Sequence, residues 1–372
     1  MKDYSPFQFA FFRIILGLFL AISFLRLIPY ASELWSDHGM IPNASTNLTY
    51  GWFPDILNHY DSPFMVYCFI GILFILSILF TLGIYRRLTA FLLWYGWVCL
   101  FNRNNLVAHP GYPFISWFLL VYTVVPAGES LSLGKKRDPN WEMPKVIWIG
   151  CWIILAIGYS YSGIEKIMDS PSWRNGYAVK FVLDSILARD YFLTNWVRSA
   201  PAIVLKIFNE YFLFLECLYV PLCLFKRTRM YAWIGMVLAH ISILLLVDIT
   251  DVSLIMILIH LFLFDSSWIK PKGKRKNQII FYDNNSAWCN SFVNVIKQED
   301  RTHVFKVAPL QKTSSDKNVS DSIILSNDTV KQNKSTAVIN IFTALGGGWY
   351  FMKLLLVCPR YIRDKIYELV AE

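Results

Sequence analysis

Eight apolar segments, separated by polar stretches, are the feature that most limits what this chain can fold into. Each approaches the length of about 20 residues that a helix needs to cross the hydrocarbon core of a bilayer. Since 55% of the residues are hydrophobic and 16% are charged, the chain needs lipid to cover its surface. We therefore predict an all-α, polytopic membrane domain of about eight transmembrane helices. The segments are 9–29, 64–84, 88–107, 112–127, 145–166, 203–225, 230–247 and 252–266.

Basic clusters set the expected orientation of these helices. Lysine and arginine collect after the second, fourth, sixth and eighth segments, and such clusters stay on the cytoplasmic side of a membrane. We therefore expect a multi-pass protein of the cell membrane whose N- and C-termini are cytoplasmic. The net charge of +9 is distributed between apolar segments, which argues against nucleic-acid binding. The seven cysteines show no CxxC spacing, so no metal site is predicted.

The composition changes near residue 270. A membrane domain over 1–270 is followed by a basic linker at 271–277 and by a mixed polar region at 278–372. Apolar runs and helical periodicity in that last region predict a small cytoplasmic α/β domain. Strands are predicted at 278–282, 303–310 and 322–326, and helices at 335–345, 349–357 and 360–370.

Five ionisable residues lie deep in the predicted membrane helices, where an unpaired charge is costly. They are Arg13, Glu210, Glu216, His240 and His260. We predict a structural polar network of Arg13, Glu210 and Glu216 in which one glutamate pairs with the arginine. The two glutamates are six residues apart and therefore lie on different faces of a helix.

Lys166 ends the fifth segment at the non-cytoplasmic boundary. A partly desolvated amine at this position could act as a general base. The alternative is an interfacial lysine whose ammonium group reaches the lipid headgroups.

Short motifs in the membrane region carry a resemblance to a known family. They are Arg13-Ile-Ile-Leu-Gly17, Asn104-Asn105 leading to His109, Ser162-Gly-Ile-Glu-Lys166, Trp173-Arg-Asn-Gly176 and Ala239-His240. Residues 8–266 resemble the horizontally transferred transmembrane (HTTM) domain shared with vitamin K-dependent γ-carboxylases. The resemblance implies that Lys166 is a catalytic base for a reduced quinone such as vitamin K hydroquinone, in carboxylase- or epoxidase-like chemistry. It places His109 and His240 near the same centre.

The carboxylases carry a large extracytoplasmic domain that recognises the substrate propeptide, and this chain has a short domain at that point instead. Other bacterial relatives resemble a membrane component that matures or exports a sporulation-delaying peptide toxin. The alternative function is therefore a non-catalytic component of a peptide toxin maturation, export or immunity system. Its expected partners, besides the lipid bilayer, are a peptide and a cytoplasmic protein.

The C-terminal region carries a second resemblance. A predicted strand leads into Asp283-Asn-Asn-Ser286-Ala-Trp-Cys289, which is similar to the Asp-Gly-x-Cys-x-x-Cys motif of the DCC family of thiol-disulfide oxidoreductases. The resemblance implies a thioredoxin-like fold. Ser286 stands where the family has its first cysteine, and a hydroxyl cannot exchange with a disulfide. Dithiol oxidoreductase activity is therefore not expected, which leaves partner binding, support of the membrane domain, or a relay that uses Cys289 alone.

Overall fold

The computed structural model divides the chain into two compact units, Pro6–Leu263 and a second unit that begins at Phe264 and also includes Ser5. Each unit is described here by itself. The structure describes residues 5–107, 111–134, 138, 141–270, 278–300, 303–310, 323–326 and 331–371.

The first unit is built from α-helices joined by loops and short 3-10 helices. Over its described residues the α-helices are α1 (Pro6–Leu27), α2 (Ala31–Trp35), α3 (Pro63–Leu82), α4 (Arg86–Arg103), α5 (Tyr112–Val124), α6 (Lys145–Asp169), α7 (Pro171–Arg174), α8 (Ala178–Asp184), α9 (Phe192–Arg198), α10 (Ala202–Cys217), α11 (Tyr219–Leu224), α12 (Lys226–Leu246) and α13 (Thr250–Leu263). Each of the eight predicted apolar segments overlaps at least one of these helices.

Four helical stretches of the described chain are long and apolar enough to cross a membrane. They are Pro6–Trp35, Pro63–Leu82, Lys145–Asp169 and Lys226–Leu246. The helices Tyr112–Val124 and Thr250–Leu263 are apolar but shorter. These stretches confirm the helical class of the predicted domain and give it four candidate membrane spans, while the predicted count of eight is not confirmed.

The sixth apolar segment, 203–225, is not one helix as predicted. It breaks at Leu218, between α10 and α11. Pro221 follows the break, and its nitrogen carries no hydrogen to donate to the carbonyl of Cys217. The prediction is wrong here because apolar composition locates a segment but does not show where a proline interrupts its hydrogen bonds.

An aromatic core holds three helices of the first unit together. Phe262 on α13 packs edge-to-face against Phe12 on α1 and Phe118 on α5, with ring centroids 4.9 and 5.0 Å apart. Gly17 allows α1 to approach α3 closely, since a Cβ atom there would lie 2.2 Å from Oγ1 of Thr81. The motif Arg13-Ile-Ile-Leu-Gly17 therefore has a packing role.

The second unit contains a four-stranded sheet in the order β2-β1-β3-β4. The first strand is parallel to the second and antiparallel to the third, and the third is antiparallel to the fourth. This is a thioredoxin-like arrangement, as predicted. Its elements are β1 (Ile279–Tyr282), α14 (Ala287–Glu299), β2 (Lys306–Pro309), β3 (Ile324–Ser326), β4 (Lys331–Asn333), α15 (Lys334–Leu345), a 3-10 helix (Gly347–Val357) and α16 (Arg360–Ala371).

Three details of the second unit differ from the sequence prediction. The residue patterns predicted no helix between the first two strands, where α14 (Ala287–Glu299) lies. The short strand β4 was not predicted because its three residues, Lys-Gln-Asn, lack any apolar alternation. The helix predicted at 349–357 is a 3-10 helix over Gly347–Val357.

Candidate functional site

The polar centre of the first unit is an ion pair between α6 and α10. The Nζ atom of Lys166 lies 2.6 and 2.5 Å from the two carboxylate oxygens of Glu216. The Lys166 side chain keeps 27% of its surface exposed, and Glu216 keeps 16%. The pair is thus sheltered yet still reachable by another molecule.

The break between α10 and α11 lies directly beside this pair. The hydroxyl of Ser160 on α6 accepts a hydrogen bond from the Val220 amide and donates one to the Glu216 carbonyl, at 3.0 and 3.2 Å. In an unbroken helix these two backbone groups would bond each other. A side chain of α6 therefore stands in for the missing helical hydrogen bond and fixes the backbone that carries Glu216.

A glycine permits the close approach of the two helices. A Cβ atom on Gly163 would lie 2.6 Å from the Cys217 nitrogen and 2.9 Å from the Glu216 Cβ atom. Any side chain at this position would push α10 away from α6. The glycine in Ser162-Gly-Ile-Glu-Lys166 is therefore needed to bring Lys166 and Glu216 together.

The loop after α6 adds an aromatic wall to the site. The ammonium group of Lys166 lies 4.8 Å from the ring centre of Trp173 on α7, within the range of a cation–π contact. Asn209 of α10 holds this loop in place, because its amide donates to the Trp173 carbonyl and its oxygen accepts from the Ala178 amide. The motif that begins at Trp173 thus positions one side of the site.

Two tyrosine–histidine pairs connect α6, which also carries Lys166, with α11, α12 and α13. The Tyr159 hydroxyl is 2.7 Å from Nε2 of His240, and the Tyr219 hydroxyl is 3.5 Å from Nε2 of His260. The rings of Tyr159 and Tyr219 are 4.7 Å apart, so the two pairs form one cluster. All four side chains are buried.

The hydrogen-bond pattern fixes the roles of one histidine. Nδ1 of His260 faces the Met256 carbonyl at 2.8 Å, so this nitrogen carries the proton and donates it. Nε2 is then an acceptor, and the Tyr219 hydroxyl donates to it. Nδ1 of His240, by contrast, is buried without a hydrogen-bond partner. Such a group is unusual in a folded protein and indicates a position where a ligand or water would bond.

The predicted network of Arg13, Glu210 and Glu216 does not form. Arg13 lies 3.0 Å from Glu129, which follows α5, and Glu129 also lies 2.8 Å from Nε of Arg86. Glu210 is exposed on α10. The pairing was misassigned because Glu129 lies outside the apolar segments, in a loop that folds back over the ends of α1 and α4.

The remaining site predictions of the first unit have different outcomes. His240 lies in the tyrosine–histidine cluster with Tyr159, and its predicted catalytic place beside Lys166 stays a prediction. His109 lies outside the described residues, so its predicted place near the same centre stays a prediction. Asn104, from the same motif, bonds the Leu34 carbonyl through its amide nitrogen at 2.6 Å and thereby anchors a loop.

In the second unit, the residues of the degenerate redox motif form the N-terminal cap of α14. The Ser286 hydroxyl accepts a hydrogen bond from the Cys289 amide at 3.2 Å, which caps α14. Asp283 is buried and accepts from the Asn285 amide at 2.9 Å. Cys289 is fully buried in the core of the unit, beside Ile280 and Phe292. The motif therefore stabilises a turn and presents no thiol to a substrate.

A family model for the HTTM domain matches residues 2–268, which is more than half of the chain. The chain belongs to the HTTM family. A second family model, for DCC1-like thiol-disulfide oxidoreductases, matches residues 280–372. The fusion of an HTTM domain to a DCC1-like domain, predicted from the motifs, is thus confirmed.

The HTTM protein was also compared with curated proteins and solved structures. It is 26% identical over 105 residues to a Bacillus subtilis (strain 168) protein described as uncharacterized protein YuxK. The match covers 26% of this chain and 77% of that relative. No solved structure matches the HTTM protein significantly.

Three features of the HTTM site were not predicted from the sequence. They are the presence of Tyr159, the presence of Tyr219, and the contact of Trp173 with Lys166. A signal existed for Tyr159, because residues 159, 163 and 166 share one helical face. No comparable signal existed for Tyr219, since its position depends on the break before it. Trp173 was noted as a motif residue, but its contact with Lys166 depends on how the loop folds back.

Proposed function

We propose that the HTTM unit is a membrane enzyme that removes a proton from a lipid-soluble, quinol-like substrate at the extracytoplasmic boundary. The observation that carries the proposal is the Lys166–Glu216 pair, which is sheltered, hydrogen-bonded and still partly exposed. The proposed orientation is multi-pass with cytoplasmic termini, in keeping with the positions of the basic clusters.

Lys166 and Glu216 divide the proton transfer between them. Because both carboxylate oxygens lie within hydrogen-bond distance of Nζ, a proton can pass from the amine to Glu216 without large movement of either side chain. The neutral amine then accepts a proton from a substrate hydroxyl. Geometry of this kind is what general-base catalysis requires.

The surroundings suit a flat aromatic substrate. The Trp173 ring provides a stacking surface next to the ammonium group. The unpartnered Nδ1 of His240 could bond a hydroxyl or carbonyl oxygen of the substrate, and Tyr159 holds this imidazole by its other nitrogen. His240 and Tyr159 would thus orient the substrate and stabilise charge that develops on its oxygen.

Oxygen-dependent turnover of a reduced naphthoquinone by the purified chain in nanodiscs, measured above the rate without protein, tests the proposal. We expect Lys166→Ala to lower the rate by a factor of roughly 10² to 10⁴, the usual contribution of a general base. Lys166→Arg should also be inactive, because a guanidinium group does not lose its proton at neutral pH. The matched control is Lys180→Ala, which removes an exposed lysine on α8. Equal turnover by Lys166→Ala and the parent would refute base catalysis at this site.

A second candidate function is a non-catalytic component of a peptide toxin maturation, export or immunity system. It is favoured by the second unit, where Ser286 caps a helix and Cys289 is buried, so that this unit is suited to docking rather than redox chemistry. In this function the Lys166–Glu216 pair would only hold helices together. Purification in mild detergent, followed by mass spectrometry, tests it, and the absence of any stable partner would count against it.

A further inference from the structure

The C-terminal helix of the second unit, α16, exposes an aliphatic face, whereas a helix of a water-soluble domain usually buries its apolar side. Ile362, Ile366, Leu369 and Val370 follow the spacing of one helical face, and all four are exposed, Leu369 by 70% of its surface. The side that packs against the unit carries Tyr367, whose ring centroid lies 5.2 Å from that of Trp288, and Asp364, whose carboxylate accepts a hydrogen bond from the Ser335 amide at 3.3 Å. The apolar side of α16 therefore faces outward.

The preceding 3-10 helix extends this apolar surface. Phe351 and the consecutive residues Leu354 to Val357 are all exposed, Val357 by 87%. Patches of this size on a soluble protein mark an interaction site. We call Phe351, Leu354–Val357, Ile362, Ile366, Leu369 and Val370 together the C-terminal apolar face.

Charge around this face favours an anionic partner. The segment 347–371 contains four basic residues, Lys353, Arg360, Arg363 and Lys365, against two acidic ones. Lys365 is exposed beside the apolar stripe. Apolar residues with basic neighbours are typical of helices that lie in the interface of a membrane containing anionic lipids.

The second unit begins directly where the last apolar helix of the first unit ends. Phe264 directly follows Leu263, the last residue of the apolar helix α13, and its ring lies 5.8 Å from that of Phe351. Gly347 also donates a hydrogen bond to the Ile269 carbonyl at 2.8 Å. The start of the apolar face is thus attached to the residues that leave the last apolar helix.

We propose that the C-terminal apolar face lies in the interface of an anionic lipid bilayer and holds the DCC1-like unit against the membrane. The burial of apolar side chains supplies the affinity, and the basic residues add attraction to the headgroups. This role does not depend on the chemistry proposed for Lys166. It also gives the unit a use that needs no redox motif.

Hydroxyl-radical footprinting of the full chain in nanodiscs tests the proposal. Modification of Leu354, Ile366 and Leu369 should be slower by about tenfold in nanodiscs with phosphatidylglycerol than in detergent without lipid. The variant with Ile366→Asp and Leu369→Asp should lose this protection. The matched control, Ser291→Asp with Asn294→Asp, adds the same two charges to exposed positions of α14 and should keep it. Unchanged protection of Ile280 and Phe292 in each variant shows that the unit is folded.

Two results would overturn the proposal. Equal modification of the face with and without lipid, at every protein concentration, would mean that nothing covers it. Protection in lipid-free detergent that rises with protein concentration would mean that a second copy of the chain covers it instead.

Discussion

The two ion-pair clusters of the HTTM unit use similar groups in opposite ways. Arg13 and Glu129 are buried to within 2% of their surface, and Arg86 beside them also donates to the carbonyls of Val125 and Pro126. Lys166, by contrast, bonds a single carboxylate and remains more than a quarter exposed. A charge buried among these helices therefore does not by itself indicate function. What separates the two clusters is whether a donor is still accessible to another molecule.

Removing the carboxylate of the buried cluster should have the largest effect on stability. We expect Glu129→Ala to lower the free energy of unfolding by about 3–5 kcal/mol, because it leaves the Arg13 and Arg86 guanidinium groups buried without a counter-charge. Unfolding in mixed micelles measures the change. The control is Glu142→Ala, at an exposed position. A loss no larger than that of the control would mean that backbone carbonyls alone satisfy the arginines.

Changing the carboxylate of the accessible pair should act on turnover instead. We expect Glu216→Gln to lower the rate of quinol turnover by roughly 10²-fold, since the amide cannot take the proton from Lys166. Its effect on unfolding should be smaller than that of Glu129→Ala, because Lys166 can still be hydrated. Glu210→Gln on the same helix is the control, and we expect parent-like turnover from it. If the two variants behave alike, the distinction between the clusters fails for catalysis.

The smallest effect is expected at a carboxylate of the second unit that water can reach. Partial burial raises the pKa of Asp364, but hydrogen bonds from Ser335 and Arg360 outweigh it and hold this pKa below its usual value of 3.8. A carboxyl group whose pKa is lower in the folded state stabilises the fold above its unfolded pKa, and this contribution disappears as the pH falls through the folded value. Acid should therefore weaken the second unit below about pH 4.

Pepsin pulse proteolysis of the full chain measures this dependence, since the protease is active in acid. As the pH falls, the parent should lose more stability than Asp364→Asn. The difference should be less than about 1 kcal/mol, as expected for a partly solvated group. An identical slope in parent and variant would show that Asp364 does not contribute.

The sequence predicted the helices of the HTTM unit and the α/β class of the second unit because both depend on local patterns. Hydrophobic length identified α1 and α3, and the short apolar run around Ile280 identified β1. Interactions between distant segments could not be read in this way. Glu129 reaches Arg13 across more than a hundred residues, and Glu216 reaches Lys166 only because Gly163 lets two backbones meet.

The Ser160 hydroxyl at the helix break has an evolutionary consequence. It bonds the Val220 amide and the Glu216 carbonyl only because the chain is interrupted ahead of Pro221. Ser160 and Pro221 therefore depend on each other, although 60 residues lie between them in the chain. Relatives that lack the proline would have no need of the hydroxyl, whereas relatives that lose only the hydroxyl would leave two backbone groups unpaired beside Lys166. We expect the two positions to change together across the family.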